Sequence, residues 1–328
     1  MDRNLKINSQ APGKVILWGE YGVLVGGPAA VFSVDRYAKC SLDPCATSNT
    51  PAEWSIEATG VLNERIKASV EELAFSPKYQ NHVIAHVIHE LAESVDLVAF
   101  PKIAKAILDT SSFLTEKKKI GIGSSAAICT ATYAAFCKLA GVEPSLHGAF
   151  SIHKRFQNNQ GSGADVAAAW HGGSFRFQSG NIDPIQMINS NLWKFFWSGR
   201  SSNTTTHISR FHSWLERSSS KPINNLIEVS KSLFECTNIT KELKYYIEAL
   251  RELDSNAMLG IYDGQHEQMH KLAKDSCVAY KPCGAGGGDI GAAVSDDIEA
   301  LESFSEQALQ IGFHEIKLNI SERGIYVE

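Results

Sequence analysis

The sequence predicts an α+β protein in two halves that meet at glycine-rich loops, and three observations carry that prediction. The chain has 328 residues, which suits two domains at about 150 residues each. Short apolar runs of strand character alternate with segments of helical periodicity. Glycine-rich stretches at 121–123 and 284–288 interrupt these patterns, a normal setting for a ligand cleft.

Residues 5–42 read as strand-rich, with the apolar runs Val15-Ile16-Leu17-Trp18 and Ala29 to Val34 around Gly26-Gly27-Pro28. A helix is expected over 81–93, where Val83, Ile84, Val87, Ile88 and Leu91 mark one face. His82, His86 and His89 run along its flank; no H-E-x-x-H pattern completes a metal set, so they are expected to be solvated. Residues 102–108 look like a strand, and helices follow at 124–139, 145–157 and 162–171. Gly172-Gly173 ends the last of these before a strand at 174–177. The polar stretch 179–192 reads as a linker, giving domains of 1–185 and 186–328. Beyond it come a strand at 193–197, helical patterns over 204–275 and a glycine-rich loop at 281–291. A helix near 297–310 and strands near 314–319 and 324–327 complete the chain.

Composition narrows the class. Hydrophobic residues make up 44% and charged residues 20%, ordinary globular values, and the net charge of -5 offers no global field for nucleic acid or anionic membrane. An anion site would have to be local. The seven cysteines (40, 45, 129, 137, 236, 277 and 283) include no CxxC pair and no zinc spacing, which suits free thiols in a reducing cytosol. Residues 1–6 lack an apolar signal core and no run of 18 apolar residues occurs, so a soluble cytoplasmic protein is expected.

Lys117-Lys118-Lys119-Ile120-Gly121-Ile122-Gly123-Ser124-Ser125-Ala126-Ala127 is the most informative segment. A glycine-rich turn opens a helix of small residues, with three lysines at its mouth. First-turn amides point outward unpaired at the positive end of the helix dipole, so such a turn cradles an anion. Ser124 and Ser125 add hydroxyls for capping, a phosphate oxygen or a magnesium ion. No G-x4-G-K-[ST] is present. Gly121, Gly123 and Ala126 fit a dinucleotide fingerprint, but that motif must follow directly on a buried strand and here it follows Thr115 to Lys119. A turn needed only for tight packing stays open on these residues alone.

Two further segments change the balance: Ala11-Pro12-Gly13-Lys14-Val15-Ile16-Leu17-Trp18-Gly19-Glu20-Tyr21 and Lys281-Pro282-Cys283-Gly284-Ala285-Gly286-Gly287-Gly288-Asp289. With the central turn they resemble the three motifs of the GHMP kinases, in order and about 110 and 160 residues apart. The resemblance implies the GHMP kinase fold, with a first domain like ribosomal protein S5 domain 2 and a ferredoxin-like second domain. It also implies ATP as phosphoryl donor with Mg2+, bound through Lys119, Gly121, Ile122, Gly123, Ser124, Ser125 and Ala126. Ser125 is implied as a magnesium ligand, joined by Glu20, and Ser124 as the helix cap.

Asp165, in Gly161-Ser162-Gly163-Ala164-Asp165-Val166-Ala167, is the only acid in a small, apolar helix start. The segment resembles the family's G-S-G-x-D-V-A, whose aspartate is catalytic in the mevalonate branch. Lys14 matches the lysine that pairs with that aspartate. Substrate contacts are expected from Tyr21, Ser162, Gly163, Gly284, Ala285, Gly286 and Gly287, with the loop closing over substrate or phosphates. Asp289 reads as a turn or capping residue.

Within the family, galactokinases, homoserine kinases and the diphosphate decarboxylases differ at the first motif. Gly19-Glu20-Tyr21, Lys119-Ile120-Gly121, Gly163-Ala164-Asp165-Val166-Ala167 and Trp197-Ser198-Gly199 with Ser202-Asn203-Thr204 resemble the phosphomevalonate kinases. The first motif reads as well for a mevalonate kinase, which stays the alternative; a non-catalytic binding protein of the same fold is a third. Arg36, Lys154, Arg155 and Arg200 are candidates to read a substrate phosphate. A small-molecule substrate, no nucleic acid or membrane partner, and a monomer or homodimer complete the expectation.

Overall fold

The structure is a computed structural model that describes residues 5–44, 53–158, 161–186 and 193–328. Cys45 and the last part of the expected linker, 187–192, lie outside the described residues. In chain order the elements begin with β1 (Ile7–Trp18), β2 (Ala29–Asp43), β3 (Trp54–Thr59), β4 (Glu64–Ala68), α1 (Val70–Phe75) and α2 (Val83–Leu91). Then come β5 (Ala104–Asp109), β6 (Leu114–Thr115), β7 (Lys118–Lys119), α3 (Ser124–Ala140), α4 (Leu146–Phe156) and α5 (Ala164–His171). They continue with β8 (Ser174–Gln178), β9 (Asn181–Pro184), β10 (Trp193–Trp197), α6 (Thr204–Leu215), α7 (Lys221–Ser232) and α8 (Ile239–Ala257). The last are α9 (His266–Lys274), β11 (Ala279–Pro282), β12 (Ile290–Val294), α10 (Ile298–Gln310), β13 (His314–Ile316) and β14 (Tyr326–Val327).

The first sheet runs β14-β1-β2-β5-β3-β4, with β8 and β9 added beside β2. β2 is long enough to serve two neighbours on one edge, pairing β8 over Ala29–Phe32 and β5 over Lys39–Asp43. The β1–β2 register slips between Pro12 and Gly13, immediately before Lys14. Such a bulge adds local twist and redirects side chains. α3 is apolar nearly all round and is buried on most of its surface, as a helix without a polar face must be. Gly141 in the left-handed region ends it by accepting the αL cap role, its N–H bonding Cys137 and Lys138 carbonyls. Trp54 and Phe136 stack at 5.3 Å beneath it, fully buried, each contributing about 2–3 kcal/mol of burial.

The second sheet, β11-β12-β10-β13, is antiparallel throughout. Its core gathers Phe196, Met269, Tyr280, Phe304 and Phe313 under α9 and α10. Three features depart from the sequence expectation. The stretch 54–75 forms the β3–β4 hairpin and α1, where the W-S-I-E-A-T alternation and a Ser69–Glu72 capping box were signals available in the chain. The expected linker begins as the β8–β9 hairpin. Finally, the tail leaves the second half: β14 pairs with β1, and Ile320 bridges Val34, so 186–328 is not a self-contained stretch. His82, expected in solvent, is buried, and its ring Nδ1 accepts the Ile84 amide as the α2 N-cap. Burial pushes that imidazole down to about 4.

Candidate active site

The central turn is built by its two isoleucines and two glycines. Ile120 and Ile122 are buried anchors, which fixes the backbone between them at the surface of the core. The Ile122 carbonyl accepts the Lys14 amide at 2.8 Å, tying the turn to β1. A Cβ on Gly13 would lie 2.5 Å from that carbonyl, so this approach requires glycine. Gly123 is the α3 N-cap with φ 81° and no side-chain cap, and Ser124 is the buried first helical residue rather than the cap. The backbone N–H groups of Gly121 to Ala126 find no protein acceptor among the described residues. Six consecutive free amides at the start of a 17-residue helix are the physical basis of an anion site.

Lys14 lies along this turn, its side chain 3.1 Å from where a Gly123 Cβ would be. It lines a cleft together with Glu20, Tyr21, Gln157, Ser162, Asp165, Thr204, Ile208, Gly284 and Ala285. Lys14 and Asp165, from β1 and the first turn of α5, therefore face one space. Asp165 accepts the Val166 amide on Oδ1, and its Oδ2 is 3.7 Å from His153 Nε2. The buried His153 ring also lies 3.2 Å from Ser125 Oγ, to which Gln157 donates at 3.2 Å. Burial lowers the His153 pKa; Asp165 opposes that shift and Lys14 reinforces it.

The first and third motifs are tied by a buried charge. Glu20 is 2% exposed, one carboxylate oxygen taken by Lys281 Nζ and the other accepting the Tyr246 hydroxyl at 2.6 Å. This overturns the expectation that Glu20 reaches magnesium, because both oxygens are spent inside the protein. Burial pulls the Lys281 ammonium pKa down, but the neighbouring Cys283 and Glu20 more than offset it and the net shift is upward. Tyr21 donates to the Ala285 carbonyl at 2.7 Å, and burial, with Asp254 and Glu20, pushes its phenol well up, so it stays a neutral donor.

Other expectations divide. Ser162, Gly284 and Ala285 line the cleft. Gly163 instead accommodates the Phe150 ring, and Gly286 and Gly287 pack tightly against Ile261 and His207. Their glycines serve close packing within the second half. Asp289 is a turn residue: its Oδ1 accepts the Ser202 amide, and its carboxylate presses on Gly121. Burial raises its pKa to about 6 against the opposing Ser202 amide, Lys119 and Lys14. Of the four candidate cations, Arg155 is committed to Glu90 at 2.6 Å and Arg36 to the Lys317 carbonyl. Lys154 is exposed, and exposed Arg200 sits on the 198–202 segment, which touches Lys118 and Lys119. None of the four lines the cleft. His153, Gln157, Lys281, Tyr246, Thr204 and Ile208 were not singled out from sequence; only Lys281, heading the third motif, and Thr204, in the Ser202-Asn203-Thr204 segment, stood in marked segments.

Residues 83–173 match the family model for the GHMP kinases N terminal domain. A phosphomevalonate kinase of Streptomyces sp. (strain CL190) is 25% identical over 87% of this chain and 89% of its own length. A mevalonate kinase of Thermococcus sibiricus is 27% identical over 56% of this chain and 55% of its own. The crystal structure of Streptococcus pneumoniae phosphomevalonate kinase in complex with phosphomevalonate and AMPPNP superposes with a TM-score of 0.73. It covers 95% of this chain and 99% of that one, at 17% identity. Residues 83–173 are thus similar to a GHMP kinases N terminal domain, and the likeness to the phosphomevalonate kinase extends over most of the chain. Its architecture is the α+β fold seen in the mevalonate kinase, phosphomevalonate kinase and galactokinase structures. No helix among the described residues is long and apolar enough to cross a membrane.

Proposed function

We propose that this kinase transfers the γ-phosphoryl group of ATP to 5-phosphomevalonate, giving 5-diphosphomevalonate in the mevalonate route to isoprenoids. One observation carries the choice of acceptor. Likeness to the phosphomevalonate kinase runs along 87% of the chain, whereas likeness to the mevalonate kinase covers 56%. The second half supplies Thr204, Ile208, Gly284 and Ala285 to the cleft, so similarity there bears on what the cleft accepts.

Phosphoryl transfer asks the protein for position and charge compensation more than for covalent chemistry. In this reading the amides of Gly121 to Ala126 hold the triphosphate, with Lys119 at their mouth. Asp165 accepts a hydrogen bond from the acceptor hydroxyl, orients it in line and takes its proton as the new O–P bond forms. The Lys14 ammonium, between Asp165 and the turn, compensates negative charge on the transferring group. Tyr21, Ser162, Gly284 and Ala285 shape the acceptor side. Residues 1–185 then carry nucleotide and catalytic groups, and 186–328 complete the acceptor wall.

Of the pair expected to hold Mg2+, Glu20 is already engaged inside the protein. Glu20 is consumed by Lys281 and Tyr246, and no group of three or more His, Cys, Asp or Glu among the described residues is arranged to hold a metal. The acceptor assignment is tested by ADP formation with phosphomevalonate and with mevalonate measured in parallel. Turnover confined to phosphomevalonate is expected; turnover confined to mevalonate would overturn the acceptor, and turnover with neither would overturn the pathway.

A further inference from the structure

We infer that His153 is a positioning residue: its Nε2–H donates to Ser125 Oγ while facing the Asp165 carboxylate, and it turns the Ser125 proton toward the phosphate site. The inference rests on reading the cleft as the phosphoryl-transfer site. Nε2 faces two oxygens from two different helices, Ser125 Oγ of α3 at 3.2 Å and Asp165 Oδ2 of α5 at 3.7 Å. His153 itself comes from α4, so one buried ring bridges the helix of the anion turn and the helix of the carboxylate.

The tautomer follows from its neighbours. A lone pair on Nε2 would face a carboxylate; a proton there is attracted by it and can be donated to the serine. Ser125 Oγ has two lone pairs and one proton. Gln157 Nε2–H takes one lone pair at 3.2 Å, and His153 Nε2–H takes the other. The remaining hydroxyl proton has only the open side left. A hydroxyl that presents its proton suits a phosphate oxygen and repels a cation. Ser125 is thereby a phosphate donor and not a magnesium ligand, in line with the loss of Glu20 from that role.

Imidazole nitrogen NMR on the full-length protein labelled with 15N-histidine tests this without turnover. The chain has 11 histidines, and the signal lost in His153→Gln identifies the ring. The expected spectrum has the proton on Nε2, and the signal shifts in both Ser125→Ala and Asp165→Asn. A proton on Nδ1, or a signal that ignores either variant, would overturn the proposal even if the acceptor reading stands. Kinetics add a second arm with whichever acceptor the wild type uses. His153→Leu should lower kcat about tenfold or more at an ATP KM within about twofold, and His153→Gln, with an amide near the Nε2 position, should recover much of the loss. Equal loss in both folded variants, or no loss in either, would also overturn it. Absence of turnover in the wild type with either acceptor would sink the acceptor reading alone, with the spectrum still deciding His153.

Discussion

At the residue scale, Gly121 shows how closely the three motifs are interlocked. Its φ is 89°, and an added Cβ would run into the Asp289 carboxylate of the third motif. Gly121→Ala therefore carries a left-handed penalty of about 1–2 kcal/mol plus a steric clash. We expect a lowered thermal midpoint and weakened ATP binding, with part of the stability restored in Gly121→Ala/Asp289→Gly; an unchanged midpoint in the single variant would refute the contact. Lys14→Met should leave the midpoint near wild type while kcat falls about 100-fold, because a charge next to the transferring group matters most in the transition state. A fall in ATP affinity with kcat preserved would place Lys14 in ground-state binding. These residues were legible because their motifs are local in sequence. His153 and Tyr246 were not: each is a single side chain brought to the site by a helix whose docking no local pattern encodes. Glu20 was misread for the same reason, since its partners Lys281 and Tyr246 lie more than 200 positions away.

At the element scale, long periodic segments were read well. The expected helix at 124–139 is Ser124–Ala140, and the expected strand at 193–197 is Trp193–Trp197. Their signals are continuous over many residues. The β3–β4 hairpin and α1 were missed because the connection at 60–63 carries Val61 and Leu62, so no polar break marks the turn between the strands. The loop between β11 and β12 makes a testable element. Asp289 within it has its pKa raised from 3.8 to about 6, so the unfolded chain gives up this proton at lower pH than the folded one. Near pH 3 both states are protonated and Asp289 has no pH-linked effect; as pH rises toward about 6, stability falls, and above that the cost is constant. Two pKa units correspond to at most roughly 3 kcal/mol. Asp289→Asn keeps an acceptor for the Ser202 amide, so its stability relative to wild type should rise between about pH 4 and pH 7 and then level off. Denaturation curves at several pH values measure this, and a difference that does not change with pH would refute the assignment.

At the scale of the whole molecule, the two halves are joined by a buried ion pair and by the returning tail. Removing one partner of a buried pair leaves an uncompensated charge at a cost of about 3–5 kcal/mol. Lys281→Met should therefore be severely destabilising, and Glu20→Gln/Lys281→Met should recover most of the loss by chemical denaturation. Equal losses in the two variants would mean that packing at Lys281, not charge, matters. The tail contact of β14 with β1 could not be foreseen, because a two-residue strand carries almost no periodic signal. The central claim is that the cleft joining Lys14, Asp165 and the Gly121 to Ala126 turn is where the phosphoryl group moves. Asp165→Asn tests it most directly, through ADP formation and ATP affinity measured on the same folded sample. The account predicts turnover reduced about 100-fold or more with ATP affinity within about twofold of wild type. Turnover close to wild type would contradict it.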